Sequence, residues 1–464
     1  MIKMLLKKFL ILLFFIFELG FGFDYTFSGD VANYSKIGFN HVSIDKAMGR
    51  YPTDSFSILY ATPNVKFHTD SNFDMGIGFA FGGLVYDSTE RDRDTLGNLV
   101  NPDGLGYKYF GYYLGKNGKE KASGKNTKDY FFSNIYIGYE NDFFSFKIGR
   151  FLFKNTDWLT GNQEGGEIHL KANFGEWSND FWGVITEKKS SLGGKWLKDF
   201  KFLNSSPIPT IAAGIKIKNS HMSFTPYVQS QPNLYVMTAL HFVYNVTFFI
   251  GDVPIEFQTD FLPMFVHHTL GAQNRFSVYD NGDRSVFSPS VNPKNPYLYG
   301  YEGRLVEKGG ESVYLKQLFK ISKNSLRHHF GFQIYKNFGN PNEFVGGWGN
   351  PIGIDLNDST IYDRGTANNA IFASDAFNNI FFYGLQYQNF NINMLNRYTI
   401  SPRSNEESFS INMDYLFPNK LSIGINLTYF DDITKKGYEV YQTYLKQDIR
   451  EDRSYISTYI KHSF

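Results

Sequence analysis

Charged side chains at alternating positions of an extended segment can act without any catalytic group. Where water is confined, they sort solutes by the sign of their charge. The stretch that invites this reading is 153–171. It carries Asp157 and Glu164 in a Gly- and Asn-containing run, then Glu167, His169 and Lys171 alternating with Ile168, Leu170 and Ala172. Strand side chains point to opposite faces in turn, so the three ionisable groups share one side and the apolar residues the other. Basic counterparts at matching parity are Lys216, Arg327 and Arg397. Arg150 ends the preceding apolar alternation of Phe144, Phe146 and Ile148, so it needs a bulge or an interfacial position to escape the apolar side. We expect 153–166 to be an inward-folding loop. Together Asp157, Glu164, Glu167, His169, Lys171, Lys216, Arg327 and Arg397 are the candidate pore constriction.

Other chemistries find little support. His267-His268 and His328-His329 are adjacent pairs, and neighbours on a strand point to opposite faces, so neither pair can chelate one ion without a kink. Arg91-Asp92-Arg93-Asp94 lacks the Gly and the terminal Glu of a calcium loop. There is no Gly-x-Ser-x-Gly elbow, and the scattered Ser, His and Asp residues do not form a site. Cysteine is absent, which excludes disulfides, thiol catalysis and a lipidated mature amino terminus. Neither enzyme activity nor a bound cofactor or metal is expected. A net charge of +1 gives no bulk electrostatic case for nucleic acid.

Charges facing water on one side and apolar groups on the other need a wall of strands. The carboxy-terminal stretch shows it best. Phe409, Ile411, Met413 and Tyr415 alternate with Ser408, Ser410, Asn412 and Asp414, and Leu421 to Tyr429 repeat the pattern after a polar turn. The chain closes on Ile456, Ile460 and Phe464, an alternation ending on an aromatic residue. We read it as a carboxy-terminal assembly signal, with His462 and Thr458 less apolar than expected. Aromatics make up 18% of the chain, with 48 Phe and 32 Tyr beside 43 Gly, as interfacial girdles and a small-residue lumen require. Mean hydropathy is negative, because only one face of each strand meets lipid.

Residues 1–22 read as a cleaved secretory signal: Lys3, Lys7 and Lys8, an apolar run from Phe9 to Phe17, and small residues at Gly20 and Gly22. The apolar run is too short for a transmembrane helix, which takes about 20 residues. No later stretch is long enough either, so a membrane location demands a closed barrel. Alternating segments predict eighteen antiparallel strands, with sixteen to twenty compatible, in one barrel domain over 23–464. Long connections at 87–128, 268–310 and 338–375 all follow odd-numbered strands, as they must when both termini are periplasmic and the long loops extracellular. At this size a barrel leaves an aqueous channel.

Ser35-Lys36-Ile37-Gly38-Phe39-Asn40 and Tyr51-Pro52-Thr53-Asp54-Ser55-Phe56 resemble the start of the Hof family of outer-membrane proteins from Helicobacter-type bacteria. Length, signal and terminal Phe464 agree with that resemblance. Through it the chain looks distantly similar to the OprD-like porins, which implies an eighteen-stranded barrel and uptake of small solutes.

The expected function is a bacterial outer-membrane porin or solute-selective channel for small hydrophilic molecules. Its partners would be outer-membrane lipid and lipopolysaccharide, the barrel-assembly machinery and, on this reading, copies of itself. The alternative is an adhesin that recognises a host-surface ligand through Tyr-, Asn- and Gly-rich loops. A soluble periplasmic β-protein is a third reading.

Overall fold

The structure, a computed structural model, describes residues 23–100, 130–156, 158–193, 196–202, 208–269, 309–339, 345, 349, 375–437, 439–440 and 443–464. The signal reading of 1–22 and most of the three long insertions lie outside the described residues, as does Asp157.

Eighteen antiparallel strands form the wall. They are β1 (Phe23–Ser28 continued by Asp30–Gly38), β2 (Phe56–Ala61 continued by Asn64–Thr69), β3 (Phe73–Asp87), β4 (Tyr130–Glu140), β5 (Phe144–Thr156), β6 (Leu159–Phe174) and β7 (Trp177–Gly193). Next come β8 (Thr210–Lys218), β9 (Met222–Gln231), β10 (Tyr235–Ile250), β11 (Val253–His268), β12 (Gly309–Lys323) and β13 (Leu326–Gly339). The ring is completed by β14 (Phe377–Tyr387), β15 (Phe390–Ile400), β16 (Ser404–Leu416), β17 (Leu421–Thr434) and β18 (Ile449–Asp452 continued by Tyr455–Ser463). Each strand pairs with the next, and β18 closes the ring on β1 through Asp30↔Ser463 to Gly38↔Tyr455. Closure removes the unpaired edges that lipid does not tolerate. Among the described residues no helix is long and apolar enough to cross a membrane, and a barrel crosses with strands.

One end of the ring carries only tight connections: 70–72, 141–143, 175–176, 219–221, 251–252, 324–325, 388–389 and 417–420. Several reverse the chain through a left-handed residue, such as Asn72 (φ 66°), Asn324 (φ 54°) and Lys420 (φ 63°), a backbone state that tight hairpin turns use. The other end carries the long connections after β1, β3, β11, β13 and β17. We call these the turn end and the loop end. The outer face is a belt of exposed apolar side chains, among them Ile148, Ile168, Leu170, Phe181, Phe265 and Phe381. An exposed apolar surface of this extent is what a lipid-facing wall requires.

The carboxy-terminal residues sit where the alternation places them. Ile460 is exposed on the outer face with His462. Phe464 exchanges backbone hydrogen bonds with Gly29 (3.0 and 3.3 Å), and its ring lies 5.1 Å from that of Phe27. Gly29 has room for no side chain, because a Cβ there would meet the Thr62 carbonyl at 2.7 Å and the Phe464 ring at 2.8 Å.

One expectation is corrected. The stretch 153–166 is not an irregular loop. Its described residues extend β5 to Thr156 and begin β6 at Leu159, paired from Arg150↔Glu164 to Thr156↔Leu159. Gly161, Gly165 and Gly166 lower the strand signal in the sequence, whereas the register is set by long-range pairing.

Candidate pore constriction

The β5–β6 hairpin leaves the wall partway along. Pairing between β4 and β5 stops at Ile135↔Arg150, and pairing between β6 and β7 stops at Gln163↔Lys189. Beyond these points residues 151–162 pair only with each other among the described residues, forming a two-stranded tongue. Gly149 allows the departure. Its φ of 129° is disfavoured for any L side chain, and a Cβ there would run into the Ile135 carbonyl oxygen. A two-stranded hairpin is marginal alone, so the tongue must be held by packing.

That packing crosses the lumen. Phe153, Trp158 and Leu159 are fully buried, and the Trp158 ring lies 6.3 Å from that of Tyr335 on β13, eight strands further round the ring. One apolar cluster joins Phe151, Phe153, Trp158 and Leu159 to inward residues of β7 to β13, including Trp182, Met237, Met264 and Tyr335. Inward positions of a water-filled barrel are normally polar, so this apolar arc makes sense only as a seat for the tongue. The element standing where the sequence suggested an inward-folding loop is built of strand.

At the tongue's root, Arg150 Nε sits 2.7 Å from Glu164 Oε2, and Lys188 Nζ contacts Glu164 Oε1. Arg150 Nη1 donates to the Phe132 carbonyl at 3.1 Å. A second hairpin, between the end of β7 and the strand Trp196–Phe202, covers this root. Phe200 lies under the Arg150 guanidinium at 4.5 Å, and Phe202 under the Lys188 ammonium at 5.1 Å. Phe200 also joins Tyr34, Phe56, Ile58 and Phe131 on the inner face of β1 to β4. Glu164 is thus saturated by two cations and works as a tether.

Below the tongue, toward the turn end, a cavity of about 470 Å³ is lined by β3 to β8 and by Lys154 of the tongue. It gathers Glu167, His169, Lys171 and Lys216, as the alternation predicted. It also holds Asp74, Glu140, Lys147 and Asp180, which sequence reasoning did not single out. Lys147 could have been found, since it alternates with Phe146 and Ile148. His169 Nδ1 lies 3.0 Å from Asp180, and its Nε2 lies 3.9 Å from Glu167. Lys171 pairs with Glu140 at 2.5 Å and Lys147 with Asp74 at 3.6 Å. Every acid lining the cavity therefore has a basic neighbour. Lys154 and Lys216 have no ion-pair partner among the described residues, whereas Glu167 and Asp180 share His169, so four acids face four lysines and one histidine across the lining.

The remaining candidates lie elsewhere. Arg327 is exposed beside the turn 324–325. Arg397 is fully buried on the opposite arc, where Nη1 meets Glu406 Oε2 at 2.7 Å and Thr399 Oγ1 at 3.2 Å, and Nε meets Ser408 Oγ at 3.2 Å. It belongs to a buried polar arc on β15 to β18 and β1. There Arg453 donates to the Tyr51 carbonyl at 2.6 Å, and Lys36 pairs with Asp54 at 3.5 Å. Ile44, Tyr51, Leu445 and Ile449 from loop-end segments form an apolar cluster beside it. Arg397 is therefore a structural cation held by Glu406. Among the described residues no group of three or more His, Asp or Glu side chains could hold a metal ion.

Comparison with known proteins agrees with this architecture. No curated protein matches the sequence. Among solved structures, OccAB1 of Acinetobacter baumannii superposes with a TM-score of 0.57 at 10% identity, covering 95% of this chain and 96% of that one. OccK8 (OprE) of Pseudomonas aeruginosa gives 0.54 at 13%, with 95% and 98% covered. OpdK of the same organism, crystallised with vanillate, gives 0.55 at 10%, with 96% and 100% covered. At these identities the likeness concerns the fold, the closed eighteen-stranded barrel. Residues 10–464 match the family model HP_OMP_2, described as "Putative outer membrane protein". With nearly its whole length covered by that model, the chain belongs to the HP_OMP_2 family of outer-membrane proteins.

Proposed function

We propose that this protein is a solute-selective channel through which small hydrophilic molecules diffuse across the outer membrane. One observation carries the reading. A tongue rooted in β5 and β6 reaches the far wall at Tyr335, so the lumen is narrowed by a dedicated element instead of being filled by a packed core. The turn end faces the periplasm with both termini, residues 1–22 are removed on export, and the loop end faces outward. This orientation follows the usual division between short periplasmic turns and long outer loops. The apolar outer face meets lipid and lipopolysaccharide, and the strand ending at Phe464 is the segment read by the assembly machinery.

The passage runs beside the tongue and opens into the cavity beneath it. Lys154 and Lys216 are the lysines of that cavity left open to a solute anion, since confined fixed charges select by sign. A carboxylate is one such solute class, and the vanillate in the OpdK crystal is of that class. Purified, folded protein in a planar bilayer should give stepwise conductance with anion-biased reversal potentials under a salt gradient. Electrical silence from a barrel shown to be folded by heat-modifiable gel mobility contradicts the channel reading.

A further inference from the structure

When β5 turns away from β4 at Arg150, it exposes the edge of a strand that the rest of the barrel keeps paired. The Phe132 carbonyl lies just past the last paired residue, Ile135, on the side β5 has left. A backbone group unpaired in the wall of a membrane barrel is costly. Arg150 answers it directly, donating from Nη1 to that carbonyl at 3.1 Å. The same guanidinium holds Glu164 of β6 through Nε at 2.7 Å and lies over the Phe200 ring at 4.5 Å. One side chain therefore joins the abandoned strand edge, the second arm of the tongue and the covering hairpin. A planar guanidinium with several fixed donors suits such a junction, and a lysine ammonium does not.

We infer that Arg150 is a positioning residue that sets the angle at which the tongue leaves the wall, and with it the width of the passage. The inference rests on the channel reading. It assigns Arg150 no contact with solute, and it makes Glu164 and Lys188 its partners in the same junction.

The test compares full-length wild type with Arg150→Ala, Arg150→Lys and Glu164→Gln in planar bilayers. Single-channel conductance and the size of polyethylene glycol that blocks it are measured on barrels whose assembly is confirmed by heat-modifiable mobility. Arg150→Ala should raise conductance by at least about twofold and admit larger polymers, because pore width governs passage. Arg150→Lys and Glu164→Gln should fall between it and wild type. If Arg150→Ala does not assemble, the two conservative variants decide. Raised conductance with intact assembly supports the inference, and wild-type conductance and polymer cut-off in both overturn it. A wild type that assembles but does not conduct removes the channel reading itself. A conducting wild type with unchanged variants removes only the role given to Arg150.

Discussion

Two arcs of this barrel face the same lumen and are built of opposite materials. At the loop end of β7 to β13 the inward residues are Trp182, Val184, Met237, Met264 and Tyr335, all buried. On β15 to β18 and β1 they are Arg397, Glu406, Asp432, Glu451 and Lys36, also buried. Alternation alone would give both arcs the same watery surroundings. What differs is the cover. The tongue lies on the first arc and withdraws its apolar surface from water, which stabilises by about 1.5–3 kcal/mol for each large side chain buried. Residues of the loop-end connections lie beside the second, and its charges persist there because they are paired and hydrogen-bonded, as Arg397 is by Glu406, Thr399 and Ser408. An inward position fixes which way a side chain points. Its environment is decided by whatever else enters the lumen.

The comparison breaks most visibly if the tongue is removed. Replacing residues 151–162 with a short turn should strip the apolar arc of its cover, raise conductance several-fold and abolish size selection, as measured by polymer exclusion in bilayers. On the polar arc the largest effect belongs to Arg397→Ala. It leaves Glu406 buried without its cation, a loss of about 3–5 kcal/mol. Lower heat stability of the assembled barrel should report it. The paired replacement Arg397→Met with Glu406→Leu should be milder than either single change, since no lone charge remains. Trp158→Ala should cost about 3 kcal/mol, at the lower end for an aromatic core residue because the tongue can settle back onto its seat. Its signature is a noisier open channel.

Smaller effects sharpen the assignment of charge. Lys154→Glu with Lys216→Glu should move the reversal potential toward cations while leaving the polymer cut-off unchanged, because both side chains line the cavity and neither holds the tongue. An unchanged reversal potential would place the selectivity elsewhere. Lys171→Ala should change stability by no more than about 1 kcal/mol, since its pair with Glu140 is open to water.

The wall was legible in the sequence because each strand states its own alternation. The count of eighteen and the parity of long and short connections stand, while β5 and β6 run on into 153–166, which the alternation assigns to a loop. The cavity residues Glu167, His169, Lys171 and Lys216 were legible for the same reason. The tongue was half visible. Its Gly and Asn residues suggested an inward excursion, but its strand character depends on pairing and on a partner eight strands away, which no local pattern encodes. Arg397 was misleading for a related reason. Its parity is inward, and only the fold shows that Glu406 and the neighbouring loops close around it. Arg150 marked itself as an exception to alternation, and that exception is the point where the strand leaves the wall.

The central claim is that the tongue spans the lumen and seats Trp158 against Tyr335. The chain has no cysteine of its own, so the claim can be tested with a single introduced pair. Trp158→Cys with Tyr335→Cys, treated in the assembled barrel with a short bifunctional thiol reagent, should form an internal cross-link. The link should change mobility on a denaturing gel, and neither single variant should show it. An assembled double variant whose two thiols are both labelled by a monofunctional reagent yet are never bridged would contradict the account.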